Sequence, residues 1–353
     1  MMDKEWFGRS SWGKRLVFLS LGILAGCQTT PNLGQRHEVP RSQADLASVQ
    51  ESLGGPVAQV SSSELPNGGL GWVTVTVPVR SDGLAASVTE VSAQLVGSPQ
   101  SGESSQPEEN VKTDEVKLLF FESELTEVDT KSRGSRIFQA FLPIPYSRLP
   151  GPARVLVTIR DHGDQAQIEV PFQVVEGKYS SEKLRVNPSR VHPRKADLPR
   201  IARELKEVGA VYRNFDRKKF WKGSFELPIR SEVTSEFGTR RVYNGALKGF
   251  HSGLDLRAPV GTPIYSAAPG RVALAKDLFF TGNTVILDHG YGVMTLYAHM
   301  SELKVKVGDL VSLKQLVGLS GQTGRVNGPH LHWQAVIDGV KVNPVGLTQD
   351  RVP

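Results

Sequence analysis

The sequence predicts a mainly β protein with an immunoglobulin-like β-sandwich, a helical hinge and a second, glycine-punctuated β domain. Three observations predict this. Short runs that alternate apolar and polar residues recur between Leu65 and Val191, with turn residues between them. One stretch after Asp197 instead places its apolar residues at helical spacing. Beyond Asp216 the apolar runs are short and separated by glycines, part of the 35 glycines in the chain. With 353 residues there is room for roughly two or three domains, each able to bury a core.

Residues 1–26 read as targeting sequence. Lys14 and Arg15 precede the apolar run Leu16–Leu24, and Leu24-Ala25-Gly26 brings it to Cys27. A basic start, a short apolar run and small residues before a cleavage point make a secretory signal. The run is too short to span a bilayer as a helix. Cys27 is the only cysteine, so no disulfide framework can form. Leu-Ala-Gly-Cys resembles the bacterial lipobox, which implies lipidation of Cys27 and membrane anchoring by its acyl chains. Gln28 at the next position suggests, by analogy with Gram-negative sorting, the periplasmic face of the outer membrane.

Residues 27–64 are rich in Gln, Ser, Pro and Thr and read as a flexible tether. Residues 65–191 carry the β-patterned runs Gly71–Val77, Val91–Val96, Val116–Phe121, Ile137–Leu142, Ala153–Arg160 and Gln167–Val174. About seven short strands at this spacing predict the sandwich. His162 falls in a hairpin turn, Asp161-His162-Gly163-Asp164, and reads as a solvated residue. Residues 192–215 form the hinge. Its helix is to be capped by Asp197, to tolerate Pro199 in its first turn, and to present Leu198, Ile201, Leu205 and Val208 to a neighbouring domain. From Asp216 the second β domain begins with Arg217-Lys218-Lys219-Phe220-Trp221-Lys222, a solvated basic surface or a contact for a polyanion.

Polar islands in the C-terminal β segment carry the chemistry. They are His251-Ser252-Gly253-Leu254-Asp255, Tyr297-Ala298-His299 and His330-Leu331-His332. Two histidines two apart in a strand project from one face. Leu331 and Trp333 then face the opposite side, toward a core. Gly253, Pro259 and Gly261 argue against a helix at the first island, and the helical signature His-Glu-x-x-His is absent. Imidazole and carboxylate are the ligand types of a catalytic zinc site, which takes about three protein ligands and leaves a position for water. One His-x-His pair alone is weak support. His289, at the end of the strand Thr284–Asp288, reads as structural.

The order of motifs adds to this. Phe250-His251-Ser252-Gly253-Leu254-Asp255-Leu256 is followed by Ala258-Pro259-Val260-Gly261-Thr262-Pro263, Gly282–Gly290, Thr295–Ser301, Gly321-Gln322-Thr323-Gly324 and Gly328–Trp333. Over Glu226–Leu347 this resembles the lysostaphin/LytM family of zinc endopeptidases, which cut the peptide part of bacterial peptidoglycan. The resemblance implies an antiparallel sheet crossed by a groove (the duplicated hybrid motif) and one zinc ion. It implies His251, Asp255 and His332 as the zinc ligands. His299 and His330 would activate water and stabilise the transition state. Tyr243 is the nearest candidate for the tyrosine this family uses before its first ligand, although the loop between is longer here. Phe138–Pro145 with Pro150-Gly151 is similar to accessory domains that precede such peptidases.

Arg240, Arg241 and Arg325 are candidates to meet substrate carboxylates, since guanidinium suits bidentate recognition. The net charge of +6 sits in residues 216–353, with 17 Lys and Arg against 11 Asp and Glu. Nucleic acid fits that charge, but an exported lipoprotein does not meet it routinely, so it is not expected as a partner. There is no phosphate-binding glycine loop and no Gly-x-Ser-x-Gly elbow. A sugar hydrolase would need an acidic pair, and none stands out. The rival reading is a catalytically silent envelope module that activates cell-wall amidases, with other envelope lipoproteins as further possible partners. The intact set of five residues favours the enzyme.

Overall fold

Alternation along the chain becomes pleated strands in the N-terminal half. The computed structural model describes residues 55–78, 88–97, 116–122, 135–161, 164–184, 193–243, 246–349 and 353. The leader, Cys27, most of the tether and the His162–Gly163 turn lie outside them. Strands β1 (Val57–Val60), β2 (Glu64–Pro66), β3 (Leu70–Pro78), β4 (Val88–Gly97), β5 (Val116–Leu118), β6 (Phe121–Glu122), β7 (Ser135–Pro143), β8 (Gly151–Asp161) and β9 (Asp164–Val175) build a two-sheet sandwich. One sheet runs β1-β3-β7-β6 and the other β2-β9-β8-β4-β5. In β3, buried Val73, Val75 and Val77 alternate with half-buried Trp72, Thr74 and Thr76. The valines share a core with Leu95, Val155 and Val157 of the opposite sheet, each worth about 1.5–3 kcal/mol when fully buried. β1 and the start of β2 lie inside the stretch read as tether. Val57-Ala58-Gln59-Val60 is too short to show a period, and its strand character comes from pairing with β3.

The chain then enters the second domain earlier than its composition suggests. Strand β10 (Ser181–Leu184), placed in the sandwich by sequence, pairs in parallel with β12 (Arg240–Tyr243). Helix α1 (Leu198–Arg213) follows, with Pro199 in its first turn. Asp197 precedes it but makes no capping hydrogen bond; its carboxylate takes the Arg194 guanidinium at 2.8 Å. Leu198 and Leu205 are each 49% exposed, so they are not the packing face. Ile201 is buried, and Val208, Val211, Tyr212 and the following Phe215 pack on the sheet.

The remaining strands are β11 (Val233–Ser235), β13 (Ala246–Phe250), β14 (Leu254–Arg257), β15 (Pro263–Tyr265), β16 (Gly270–Leu278), β17 (Gly282–Asp288), β18 (Val293–Leu303), β19 (Leu310–Val311), β20 (Leu316–Ser320), β21 (His330–Ile337) and β22 (Val340–Val342). The main sheet is antiparallel, with the central order β11-β14-β21-β18-β17-β16-β19. Its two faces have different fates. Leu331, Trp333 and Ala335 of β21 join the core shared with the sandwich. Val336 joins a second cluster, with Ile286, Met294, Leu296 and Ala298, and this cluster carries α1.

The basic run before this sheet keeps Arg217, Lys218 and Lys222 exposed, as expected of a solvated surface, while Lys219 and Trp221 form a joint. Trp221 is buried, and its Nε1 donates to the Pro353 carbonyl at 2.7 Å. Its ring meets Phe121 of the sandwich edge-on at 5.4 Å. The Lys219 ammonium lies over both rings, at 4.4 Å and 5.1 Å. Such contacts stabilise partly desolvated cations by about 0.5–2 kcal/mol.

Candidate metal centre

Register brings the sequence islands together. β14 pairs with β21 so that Asp255 lies opposite His332 and Arg257 opposite His330. Residues directly opposite on one face of a sheet are within side-chain reach. Leu254 and Leu256 on β14, and Leu331 and Trp333 on β21, point into the core. Asp255, His330 and His332 therefore share the other face. His251 reaches the same point from the turn between β13 and β14.

His251 Nδ1 lies 2.9 Å from the Glu236 carbonyl, and Ser235 Oγ is 3.2 Å away. Donation from Nδ1–H to Glu236 leaves the Nε2 lone pair facing inward. That Nε2 is 3.0 Å from Asp255 Oδ1 and 3.1 Å from His332 Nδ1, and His332 Nδ1 is 2.8 Å from the same oxygen. All three residues are at least nine-tenths buried. Burial alone would raise the Asp255 carboxyl; hydrogen bonding with His251 and His332 overrides it and holds the group below the ordinary carboxylate range. Burial pushes His332 down. Two imidazole nitrogens thus face one carboxylate oxygen across 2.8–3.0 Å, an arrangement that a shared proton or a cation relieves. Two imidazoles and a carboxylate around one point are a fitting donor set for zinc, whose bonds to such atoms run to about 2.0–2.2 Å.

His299 needs a backbone exception to join them. Along β18, Met294, Leu296 and Ala298 belong to the α1-facing cluster, while Val293 and Tyr297 belong to the shared core. Regular alternation would send His299 to the Tyr297 side. Its φ of +63° breaks the alternation, and Met300 falls into the shared core instead. The His299 ring then sits 6.0 Å from His332 and 4.9 Å from His330. Nδ1–H of His299 donates to the Thr323 carbonyl at 2.9 Å, and that of His330 to the Gly328 carbonyl at 2.9 Å. With Nδ1–H committed in each ring, Nε2 is the nitrogen left free to face the ligand cluster. Burial, then the neighbouring His332, pushes His299 down to about 4.

Arg240 pairs with Glu176 at 2.6 Å, a residue just beyond β9, so the structure ties it to the sandwich side rather than to the ligand cluster. The backbone nitrogen of Arg325 donates to the Phe280 carbonyl at 2.9 Å, and its side chain lies exposed on the loop before β21. Tyr243 ends β12; its side chain, like that of Arg241, lies outside the described residues. His289 is buried on the opposite side of the sheet. Its Nδ1 meets the Pro269 carbonyl and its Nε2 the Thr295 hydroxyl, each at 2.7 Å.

Some supporting groups escape sequence reading. Ser252 Oγ donates to Gln334 Oε1 at 2.9 Å, and Gln334 Nε2 donates to the Tyr212 hydroxyl of α1 at 3.4 Å. Gln334 is the next residue after His332 on the ligand face, a period-two signal that could have found it. Gly253 is required by space, since a Cβ there would lie 2.6 Å from His332 Cε1 and 2.6 Å from the Trp333 carbonyl oxygen. The carbonyls of Glu236, Thr323 and Gly328 carry no residue-type signal at all.

The antiparallel sheet thus presents a buried His/Asp/His set that could hold a metal ion, beside two more histidines. Residues 249–344 match the sequence model of Peptidase family M23, and the chain carries an M23 domain of the LytM/lysostaphin type. Over 119 residues it is 41% identical to the peptidoglycan DD-endopeptidase ShyA of Vibrio cholerae, covering 33% of this chain and 28% of that protein. Over 128 residues it is 38% identical to the DD-carboxypeptidase/endopeptidase Mpg of Neisseria meningitidis, covering 36% and 30%. The chain thus spans less than a third of the length of these curated relatives. A crystal structure of an M23-type peptidase from Pseudomonas aeruginosa is similar over 80% of this chain and 94% of that one, with 26% identity and a TM-score of 0.52.

Proposed function

We propose that this chain is a zinc-dependent endopeptidase that hydrolyses amide bonds in peptidoglycan stem peptides or cross-links during cell-wall remodelling. The observation that carries the reading is the convergence of His251 Nε2, Asp255 Oδ1 and His332 Nδ1 beside two imidazoles whose Nδ1–H groups are committed to backbone carbonyls. The relatives named peptidoglycan DD-endopeptidases support the substrate class.

His251, Asp255 and His332 would hold the zinc ion, which when bound lowers the pKa of water toward neutrality and polarises a carbonyl. The rest belongs to the side chains. His299 and His330 each offer a fixed Nε2 on the ligand face. One accepts the proton of the attacking water and passes it to the leaving amine. The other must carry a proton on Nε2 to hydrogen-bond the developing oxyanion. Their separation of 4.9 Å between ring centres lets both reach one tetrahedral carbon.

We further infer that Cys27 is lipidated and holds the enzyme at the periplasmic face of the envelope. Among the described residues no helix is long and apolar enough to cross a membrane, and the reading rests on the Leu-Ala-Gly-Cys sequence. Cys27→Ala is expected to move the protein from the membrane to the soluble fraction; an unchanged fractionation sinks the anchor.

Mass spectrometry of fragments released from purified sacculi tests the enzyme. The expected result is release of cut cross-links that a chelator stops and His332→Ala lacks. Release that is indifferent to both would overturn the metal mechanism. Silence of the wild type together with stimulation of an added amidase would replace the enzyme with the activator reading.

A further inference from the structure

The turn that delivers His251 is built partly by the other domain. Gly238 N–H donates to the His251 carbonyl at 2.8 Å, and His251 N–H donates to the Thr239 carbonyl at 2.9 Å. The Glu236 carbonyl that holds His251 Nδ1 also receives the Thr239 hydroxyl at 2.9 Å. Residues 236–239 therefore set the height and tilt of the imidazole.

That segment rests on two tyrosines of the N-terminal half. The Tyr146 hydroxyl donates to the Gly238 carbonyl at 3.0 Å. Its ring stacks on Phe250, the residue before His251, with centroids 3.8 Å apart and planes 12° from parallel. Tyr179 covers Gly238 so closely that a Cβ there would lie 2.1 Å from its Cδ1, and Gly238 has φ +82°. Phe237 closes the cluster, 6.0 Å from Tyr179 and 6.2 Å from Tyr146. Both tyrosines are anchored in turn to buried Asn67. The Tyr179 hydroxyl donates to its carbonyl, and Asn67 Nδ2 donates to the Tyr146 carbonyl at 3.2 Å. Aromatic pairs of this kind contribute beyond their area because ring geometry is specific.

We propose that Tyr146 and Tyr179 are positioning residues for the metal ligand His251, so that the N-terminal sandwich completes the metal centre. The proposal deepens the zinc-site reading above and rests on it. A partner that orients a ligand is worth about 10–100-fold in metal affinity when removed.

The experiment titrates zinc against a chromophoric chelator and records the cobalt(II) visible spectrum, using the purified full-length chain. Wild type, Tyr146→Phe, Tyr146→Ala, Tyr179→Ala, His332→Ala and Val155→Ala are compared. Val155 is buried in the sandwich core away from the junction, so its truncation lowers stability without touching residues 236–239. Tyr146→Ala and Tyr179→Ala are expected to bind zinc at least tenfold more weakly, with an altered cobalt spectrum. Tyr146→Phe keeps the stack and loses only the Gly238 hydrogen bond, so it is expected to recover most of the affinity. Val155→Ala is expected to match wild-type affinity and spectrum. Wild-type affinity and spectrum in both alanine variants would overturn this proposal and leave the zinc site standing. Equal losses in Val155→Ala would overturn it as well, showing general destabilisation. A wild type that binds no better than His332→Ala would overturn both readings.

Discussion

His299 carries a cost that only its position explains. A non-glycine residue held at positive φ is strained by roughly 1–3 kcal/mol, and here that backbone turns an imidazole from the core side of β18 to the ligand face. Its Nδ1 is committed to the Thr323 carbonyl, and its ring centre lies 6.0 Å from that of His332. His299→Ala is therefore expected to keep its zinc, by metal analysis, while turnover on a cross-linked muropeptide falls about 10²–10⁴-fold, the usual worth of a general acid or base. Loss of metal in this variant would make it a ligand-shell residue instead. Gly253→Ala should behave in the opposite way. Its Cβ would press on the His332 ring and on backbone that cannot yield, so zinc affinity is expected to drop about tenfold or more, by analogy with other groups that orient ligands. An unchanged affinity would show that the ligand strand relaxes freely. The donors were legible as residue types because histidines two apart in a strand share a face. The orientation of His299 was not, since a period of two predicts the wrong side. Carbonyl partners such as Glu236 O and Thr323 O were invisible because every residue has one.

At the scale of elements, β17 and β18 enclose a buried polar pair on the core side of the sheet, His289 with Thr295. Burial drives His289 down to about 4, and the hydrogen bond to the Pro269 carbonyl only partly opposes it. The nearby Tyr297 is pushed up to about 12, so it stays neutral and does not compensate. In the unfolded chain a histidine titrates near about 6.5. As pH falls below that value the unfolded state takes up the proton first, and the native state resists until about 4. The contribution of neutral His289 is thus complete above about pH 6.5 and is lost as pH falls through the window to about 4. Between pH 7 and 5 the loss amounts to about 2 kcal/mol. Urea midpoints at the two pH values are expected to fall more steeply for wild type than for His289→Asn; parallel slopes would refute this account. Element identity was mostly readable here: strong alternation marked the sandwich strands, and helical spacing marked α1. The contact face of α1 was not. Leu198 and Leu205 fit the spacing but stay half exposed, because the second cluster lies under Val208, Val211 and Tyr212. Nor was β1, whose four residues become a strand only through β3.

At the scale of the whole molecule, the two domains share one buried cluster. Phe121 and Phe141 of the sandwich pack against Trp221, which also contacts Phe225 of the second domain. Strand β10 leaves the sandwich to pair with β12, and Asn343 N–H donates to the Gly68 carbonyl at 2.8 Å. Cooperative units follow shared buried surface rather than composition, so the joint near Trp221 decides how the chain unfolds. Saturating zinc stabilises whatever unit contains its site, by about 2.7 kcal/mol when zinc is a hundredfold above its dissociation constant. If that unit is the whole described fold, zinc must also protect residues far from the ligands. Hydrogen exchange is expected to slow at Val73 and Val75 in β3 and at Val155 and Val157 in β8 by the same free energy as at Leu331 and Trp333 in β21. Calorimetry is expected to give a single transition that zinc moves as a whole. Protection confined to the second domain, or a sandwich transition that zinc leaves in place, would mean that the joint transmits no stability between the halves.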